Sequence, residues 1–224
     1  MGKQVLLVGA TGLVGQGVLE VLLGSSDIAE VTALVRGPFS FAHPKLRVLR
    51  APGFSAAALA ALDLSGLDAC LYCAGPLPLG MTEAAYSEAT VATLARVVDA
   101  YATANPRGFV AYISGMGADP ASRLMPLRIK GEAEMALAHS GLAHTSLRPG
   151  VVRPLSGIAS PHRLRRWLYA LAAPVLAVAG RCLAGVFTST RAIGECMLRL
   201  VLDDRGRPAV IENAGITRAA RASG

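Results

Sequence analysis

The sequence predicts an α/β protein, a doubly wound parallel sheet with a small helical cap at the substrate end. Three observations carry this expectation. Short β-rich runs alternate along nearly the whole chain with longer Ala- and Leu-rich stretches at helical spacing, as βαβ crossovers over a sheet covered on both faces require. The first run, VLLV, passes straight into a glycine-rich loop and then a helical stretch. The 224 residues are 53% hydrophobic and 17% charged, which supplies a core and excludes a disordered chain.

In order, strands are expected near Gln4–Val8, Val31–Val35, Leu46–Leu49, Ala69–Cys73, Phe109–Ile113, His144–Leu147 and Ala209–Glu212. Helices are expected near Val14–Leu23, Ala56–Leu62, Glu83–Asn105, Leu127–Ser140 and Thr190–Leu202. Asn105-Pro106 stops the third helix, and Thr188-Ser189-Thr190 supplies a cap for the last. Residues 1–224 read as one domain, with 151–190 as the cap region and Thr217–Gly224 as a frayed tail.

The net charge of +7 is local. Up to Gly150, 11 basic residues balance 11 acidic ones; beyond it, 11 arginines face only Glu195, Asp203, Asp204 and Glu212. The basic residues interleave with aliphatic ones and carry no helix–turn–helix or RNA-binding signature, so no nucleic-acid partner is expected. Arg163, Arg165 and Arg166 lead into an uncharged run of 14 residues, about 21 Å as a helix and too short for a bilayer core. Segment 163–181 reads first as cap helices and second as a peripheral contact with anionic lipid through its arginines, Trp167 and Tyr169. The opening MGKQVLLVGATG reads as a buried strand rather than a leader, and Leu6 excludes a myristoylation signal at Gly2, so the expected setting is cytoplasmic. Cys70 and Cys73 sit three apart on a strand and so point to opposite faces, which prevents a disulfide or shared metal. Cys182, Cys196 and the histidines at 43, 139, 144 and 162 show no ligand spacing, so no metal is expected.

The loop Gly9-Ala10-Thr11-Gly12-Leu13-Val14-Gly15 is a G-x-x-G-x-x-G in strand–turn–helix context. Gly9 permits the tight turn, Gly12 lets backbone approach a pyrophosphate, and Gly15 lets helix pack on strand. Free N–H groups at the helix start then face the phosphates. At the end of the second strand, an acidic residue would bind the ribose 2′-OH of NAD; this chain has Arg36, whose guanidinium suits a 2′-phosphate. NADP is therefore the expected cofactor, with NAD as the alternative.

GATGLVG, ALVRG, CAGP, YISGMGAD, RIKGEAE, LRPGVVRP and VIENAGI occur in that order and together resemble the atypical short-chain dehydrogenase/reductase superfamily, from Val5 to about Ile216. This is the NAD(P)-binding Rossmann or NAD-dependent epimerase/dehydratase-like group, and the likeness is closest to its small NmrA-like and TIP30-like members. The resemblance implies that Cys73, Ala74 and Gly75 pass the cofactor ribose and that Ser114 is the catalytic serine. It makes Lys130 the lysine of the Tyr-x-x-x-Lys pair, which holds the nicotinamide ribose, and lays Pro149, Gly150, Val151 and Val152 along the nicotinamide.

One departure matters most for the function. The acid/base tyrosine belongs four residues before Lys130, where this chain has Pro126, which carries no ionisable proton. Tyr86, Tyr101 and Tyr112 lack the i, i+4 relation to Lys130 that the dyad needs. A second departure is Ala51-Pro52, where relatives carry an Asp for adenine. Three functions stay open. The first is NADP-dependent reduction of a small apolar carbonyl or quinone by Ser114 and Lys130. The second is a non-catalytic dinucleotide-binding redox sensor or assembly factor, and the third is epimerase or dehydratase chemistry on a nucleotide sugar. The 76–82 loop, PLPLGMT, is mostly apolar, which favours an apolar small-molecule substrate.

Overall fold

A computed structural model describes residues 2–153 and 186–221. Seven parallel strands form the main sheet in the order β3-β2-β1-β4-β5-β6-β9. They are β1 (Lys3–Val8), β2 (Ile28–Val35), β3 (Leu46–Arg50), β4 (Ala69–Tyr72), β5 (Phe109–Ile113), β6 (Ala143–Arg148) and β9 (Val210–Glu212). All seven expected strands are present. The chain grows one way from β1 through β2 to β3, then crosses to β4 and grows the other way. The crevice beyond the carboxyl ends of β1 and β4 is therefore the topological switch point, where sheets of this kind bind ligands.

The central strands are buried on both faces because each face carries its own core. On one face, α1 (Leu13–Gly24), α6 (Thr190–Leu202) and α7 (Asn213–Arg221) pack around Leu7, Leu22, Leu71, Ile193, Met197 and Ile216. On the other, α2 (Ala56–Ala60), α4 (Thr93–Ala104) and α5 (Met125–Ala138) cover Leu6, Tyr72, Val97, Tyr101, Val110 and Tyr112. Cys70 lies in the second core while Cys73 packs against the first, its Sγ 3.9 Å from Met197 Sδ, so the two thiols do face apart. Burial pushes the Cys70 thiol up to about 12, and the Cys73 thiol is raised by the same cause.

Local sequence places the helix ends. Ser55 Oγ accepts from Ala58 N, Thr82 Oγ1 from Ala85 N and Ser189 Oγ from Ala192 N, each opening a helix as a capping side chain does. The long run expected over 83–105 is continuous but not uniform. α3 (Glu83–Ser87) passes into α4 through a π turn at Glu88–Ala92, where Thr93 Oγ1 donates to Glu88 O at 2.9 Å.

Two features differ from the expectation. β7 (Val151–Arg153) and β8 (Phe187–Ser189) form a small parallel pair at either end of the anticipated cap region. The tail expected to fray from Thr217 instead continues as α7 to Arg221. Its anchor is tertiary: Ile216 is fully buried in the first core, and Thr217 Oγ1 donates back to Asn213 O. The proposed lipid contact at 163–181, most of the 151–190 cap, His162 and Cys182 lie outside the described residues. Among the described residues no helix is long and apolar enough to cross a membrane, and no cluster of His, Cys, Asp or Glu could hold a metal ion.

Candidate functional site

A cleft of about 620 Å³ opens at the switch point. Gly9, Thr11, Gly12 and Leu13 form one wall, Arg36 the rim, and Cys73, Ala74 and Gly75 the opposite wall. The glycine requirement is steric. Gly9 has φ +91°, and a Cβ there would stand 2.6 Å from Ala74 N. A Cβ on Gly15 would overlap the Gly9 carbonyl oxygen. Gly12 N donates to Gly9 O at 2.9 Å, which closes the turn, and Gly12 begins α1 with no side-chain cap. The bare helix start leaves its N–H groups for an anion. A cradle that a single methyl would fill, at an uncapped helix start, fits a dinucleotide pyrophosphate. Of the loop residues, Ala10 and Val14 face the first core and Gly15 is buried beneath the turn, so these three support the cleft rather than line it.

At the far end, the Arg36 guanidinium lies 5.9 Å from the centre of the Phe54 ring. Phe54 and Gly53 also line the cleft, on a short turn after β3 in which Gly53 has φ +61° and Phe54 φ +48°. A non-glycine residue in the left-handed region costs about 1–2 kcal/mol, and here it keeps a buried aromatic ring beside the arginine. These residues stand where the sequence shows Ala51-Pro52 in place of an acidic residue. Phe54 carries no sequence signal of its own. Leu77, Leu79 and Met81 continue the lining from the apolar 76–82 loop, while Ala89 and Thr93 come from the π turn and the start of α4.

Ser114 follows the last residue of β5, its N–H bonded to Leu147 O at 2.8 Å. Its hydroxyl is buried with no partner among the described residues. Lys130, on α5, donates to Tyr112 Oη at 3.0 Å and to Ile113 O at 3.1 Å. A Cβ built on Gly75 would stand 3.7 Å from Lys130 Nζ, so the amine reaches the edge of the cleft. Burial pulls the Lys130 amine down to about 8, against the smaller opposing pull of Glu134 one turn along the helix. Pro126 occupies the first turn of α5, a position that tolerates the missing N–H.

The Tyr112 contact adds a partner that the sequence reading, which looked for a tyrosine at helical spacing from Lys130, did not assign. Tyr112 comes from β5, two residues before Ser114 and on the same face. Alternation along the strand could have set Tyr112 on the face of Ser114, but its contact with Lys130 depends on how β5 and α5 stack. Pro149, Gly150, Val151 and Val152 follow β6. They are tied down: Met116 N donates to Pro149 O at 3.0 Å, Gly150 N to Asn213 Oδ1 at 2.9 Å and Val151 N to Val186 O at 2.8 Å. Val152 lies within the β7–β8 pair.

The lowered Lys130 pKa makes a stability prediction. Below about pH 8 the amine is charged in both folded and unfolded chains, and its burial opposes folding in full. Between about 8 and its ordinary 10.5 the folded chain sheds a proton that the unfolded chain keeps, so stability rises with pH. Urea unfolding should show the parent gaining about 3 kcal/mol over Lys130→Met across that window. The raised thiols of Cys70, Cys73 and Cys196 act in the opposite direction in both proteins and cancel in the difference. A difference that stays flat with pH would show that Lys130 is not desolvated.

A protein-family model described as NAD(P)H-binding matches residues 9–154. Protein FMP52, mitochondrial, from Coccidioides immitis is 30% identical over 156 residues, which are 64% of this chain and 63% of that protein. The chain thus matches less than two thirds of that relative's length. Among solved structures, the 3-oxoacyl-[acyl-carrier protein] reductase of Brucella melitensis, in complex with NAD, superposes with a TM-score of 0.74 over 97% of both chains at 13% identity. A short chain dehydrogenase family protein from Francisella tularensis gives 0.69 over 98% of this chain and all of that one, at 15% identity. These likenesses show a shared fold.

Proposed function

The chain belongs to the NAD(P)H-binding family and binds a nicotinamide dinucleotide; from that premise we propose that it is a reductase that uses NADPH on a small apolar carbonyl or quinone. In this reading Gly9 to Gly15 cradle the pyrophosphate and Arg36 takes the 2′-phosphate. Cys73, Ala74 and Gly75 pass the ribose, while Pro149 to Val152 flank the nicotinamide. When bound, the nicotinamide supplies a hydride to the substrate carbon. The Ser114 hydroxyl, buried and without a partner among the described residues, is available to donate to the substrate oxygen. The Lys130 ammonium, held at the cleft edge, holds the proton that the oxygen takes up directly or through one water.

The observation that carries this reading is the persistence of Ser114 and of a desolvated, anchored Lys130 beside Gly75, although the family tyrosine is absent. An amine near 8 is mostly protonated at neutral pH and remains a competent donor. The test is NADPH oxidation with a panel of apolar aldehydes, ketones and quinones. Turnover should fall as pH rises through about 8, and Ser114→Ala and Lys130→Met should each lose about 100-fold or more in kcat/KM. NADPH binding without turnover on any of them would overturn it in favour of a non-catalytic redox sensor. Pro126, a residue with no proton to give, is the feature that favours that second reading.

A further inference from the structure

We propose that Tyr112 is the positioning residue of Lys130, fixing its ammonium from the strand beneath. The inference rests on the reading of Lys130 as a cofactor-side amine and adds the group that holds it. An ammonium has three N–H donors. Two are committed to β5: one to Tyr112 Oη at 3.0 Å and one to Ile113 O at 3.1 Å. The third is left for the side where Gly75 offers no side chain, with a built Cβ only 3.7 Å away. The Tyr112 ring also stands 5.0 Å from Nζ, so its face adds to the attraction.

Tyr112 is fully buried, and its ring packs 5.9 Å from that of Tyr72. It is out of reach of a substrate and acts only through Lys130. The ionisable groups around the pair are Tyr72 from β4, Tyr86 from α3 and Glu134 from α5, the last held by Arg148 of β6. When Lys130 is charged, the phenol oxygen accepts from it. When Lys130 has given its proton away, the phenol O–H can turn and donate to the neutral amine. Either way the contact survives, while the pair's positive charge goes with the proton.

The chain has three lysines and five tyrosines, so each set gives resolvable NMR signals. In lysine-labelled protein, Tyr112→Phe should lower the Lys130 titration midpoint by about one pH unit, because the charged form loses an acceptor. NADPH affinity near pH 7.5 should fall about three- to tenfold while thermal unfolding shows an intact fold. An unchanged midpoint would overturn the proposal and make Tyr112 a core filler. If the midpoint falls but the parent binds no NADPH, Tyr112 still positions Lys130, and the cofactor reading of the site is what fails. Should Tyr112→Phe not fold, tyrosine-labelled parent gives the same answer. The Tyr112 ring-carbon shift should inflect at the Lys130 midpoint and lose that inflection in Lys130→Met; no inflection overturns the proposal.

Discussion

Replacing Gly15 with valine is expected to raise the Kd for NADPH more than a thousandfold and to lower stability by about 2–4 kcal/mol. The new side chain meets backbone, which cannot rotate away. A Cβ at Gly15 overlaps the Gly9 carbonyl oxygen and stands 2.7 Å from its carbon. Gly9 has no room to retreat, because on its other side a Cβ would already lie 2.6 Å from Ala74 N and 2.8 Å from Cys73 C. The loop is thus clamped between α1 and the end of β4. Separating α1 from the loop breaks the Gly12 N to Gly9 O turn at 2.9 Å and scatters the N–H groups that face the pyrophosphate. Gly24→Ala, at the open end of the same helix, has nothing within 4 Å of its Cβ and serves as the control with unchanged affinity. Calorimetric titration with NADPH checks both. If Gly15→Val binds within threefold of the parent, the pyrophosphate does not sit on this loop.

The features legible in the sequence are those whose cause is local. β1, β4 and β5 are short apolar runs because they are buried on both faces, and Gly9 to Gly15 is a turn with one steric solution. Ser55, Thr82 and Ser189 announce helix starts through side chains three residues from the N–H they bind. What escaped has a non-local cause. The β7–β8 pair joins two three-residue strands across the chain between 153 and 187, with no periodicity long enough to read. α7 ends in Ala, Arg and Thr residues that read as a tail, until Ile216 is seen filling a core built by α1 and α6. Tyr112 meets Lys130 only because β5 and α5 stack in the fold.

The basic C-terminal third also changes meaning once partners are visible. Arg191 pairs with Glu195, and Arg205 reaches Asp203 at 3.9 Å. Arg153 lies on the Phe187 ring, while Arg207 lies on that of Phe109 and donates to Leu200 O. These described arginines are spent on local contacts and helix ends rather than gathered into one surface field. Arg36 differs, since its guanidinium stands at the rim of the cleft.

Arg36→Asp should therefore reverse the cofactor preference. The parent is expected to bind NADPH about 100-fold more tightly than NADH, the contribution of two or so charge-assisted hydrogen bonds to a phosphate. In Arg36→Asp those bonds are lost and a carboxylate faces the phosphate, so NADPH should weaken about 1000-fold. NADH should hold or gain severalfold through the ribose hydroxyl. Because Arg36 is exposed, the parent's preference should shrink between 50 mM and 500 mM salt, whereas the NADH affinity should barely move. Arg36→Lys separates charge from geometry: it keeps the cation but loses the planar fork and its stacking on Phe54, and should retain about a tenth of the NADPH affinity. Equal affinities of the parent for the two dinucleotides, or a ratio untouched by Arg36→Asp, would mean that Arg36 only closes β2 into solvent. In that case the 2′ position of the ribose is read by no side chain of this rim, and the strained turn at Gly53 and Phe54 shapes an adenine slot indifferent to phosphate.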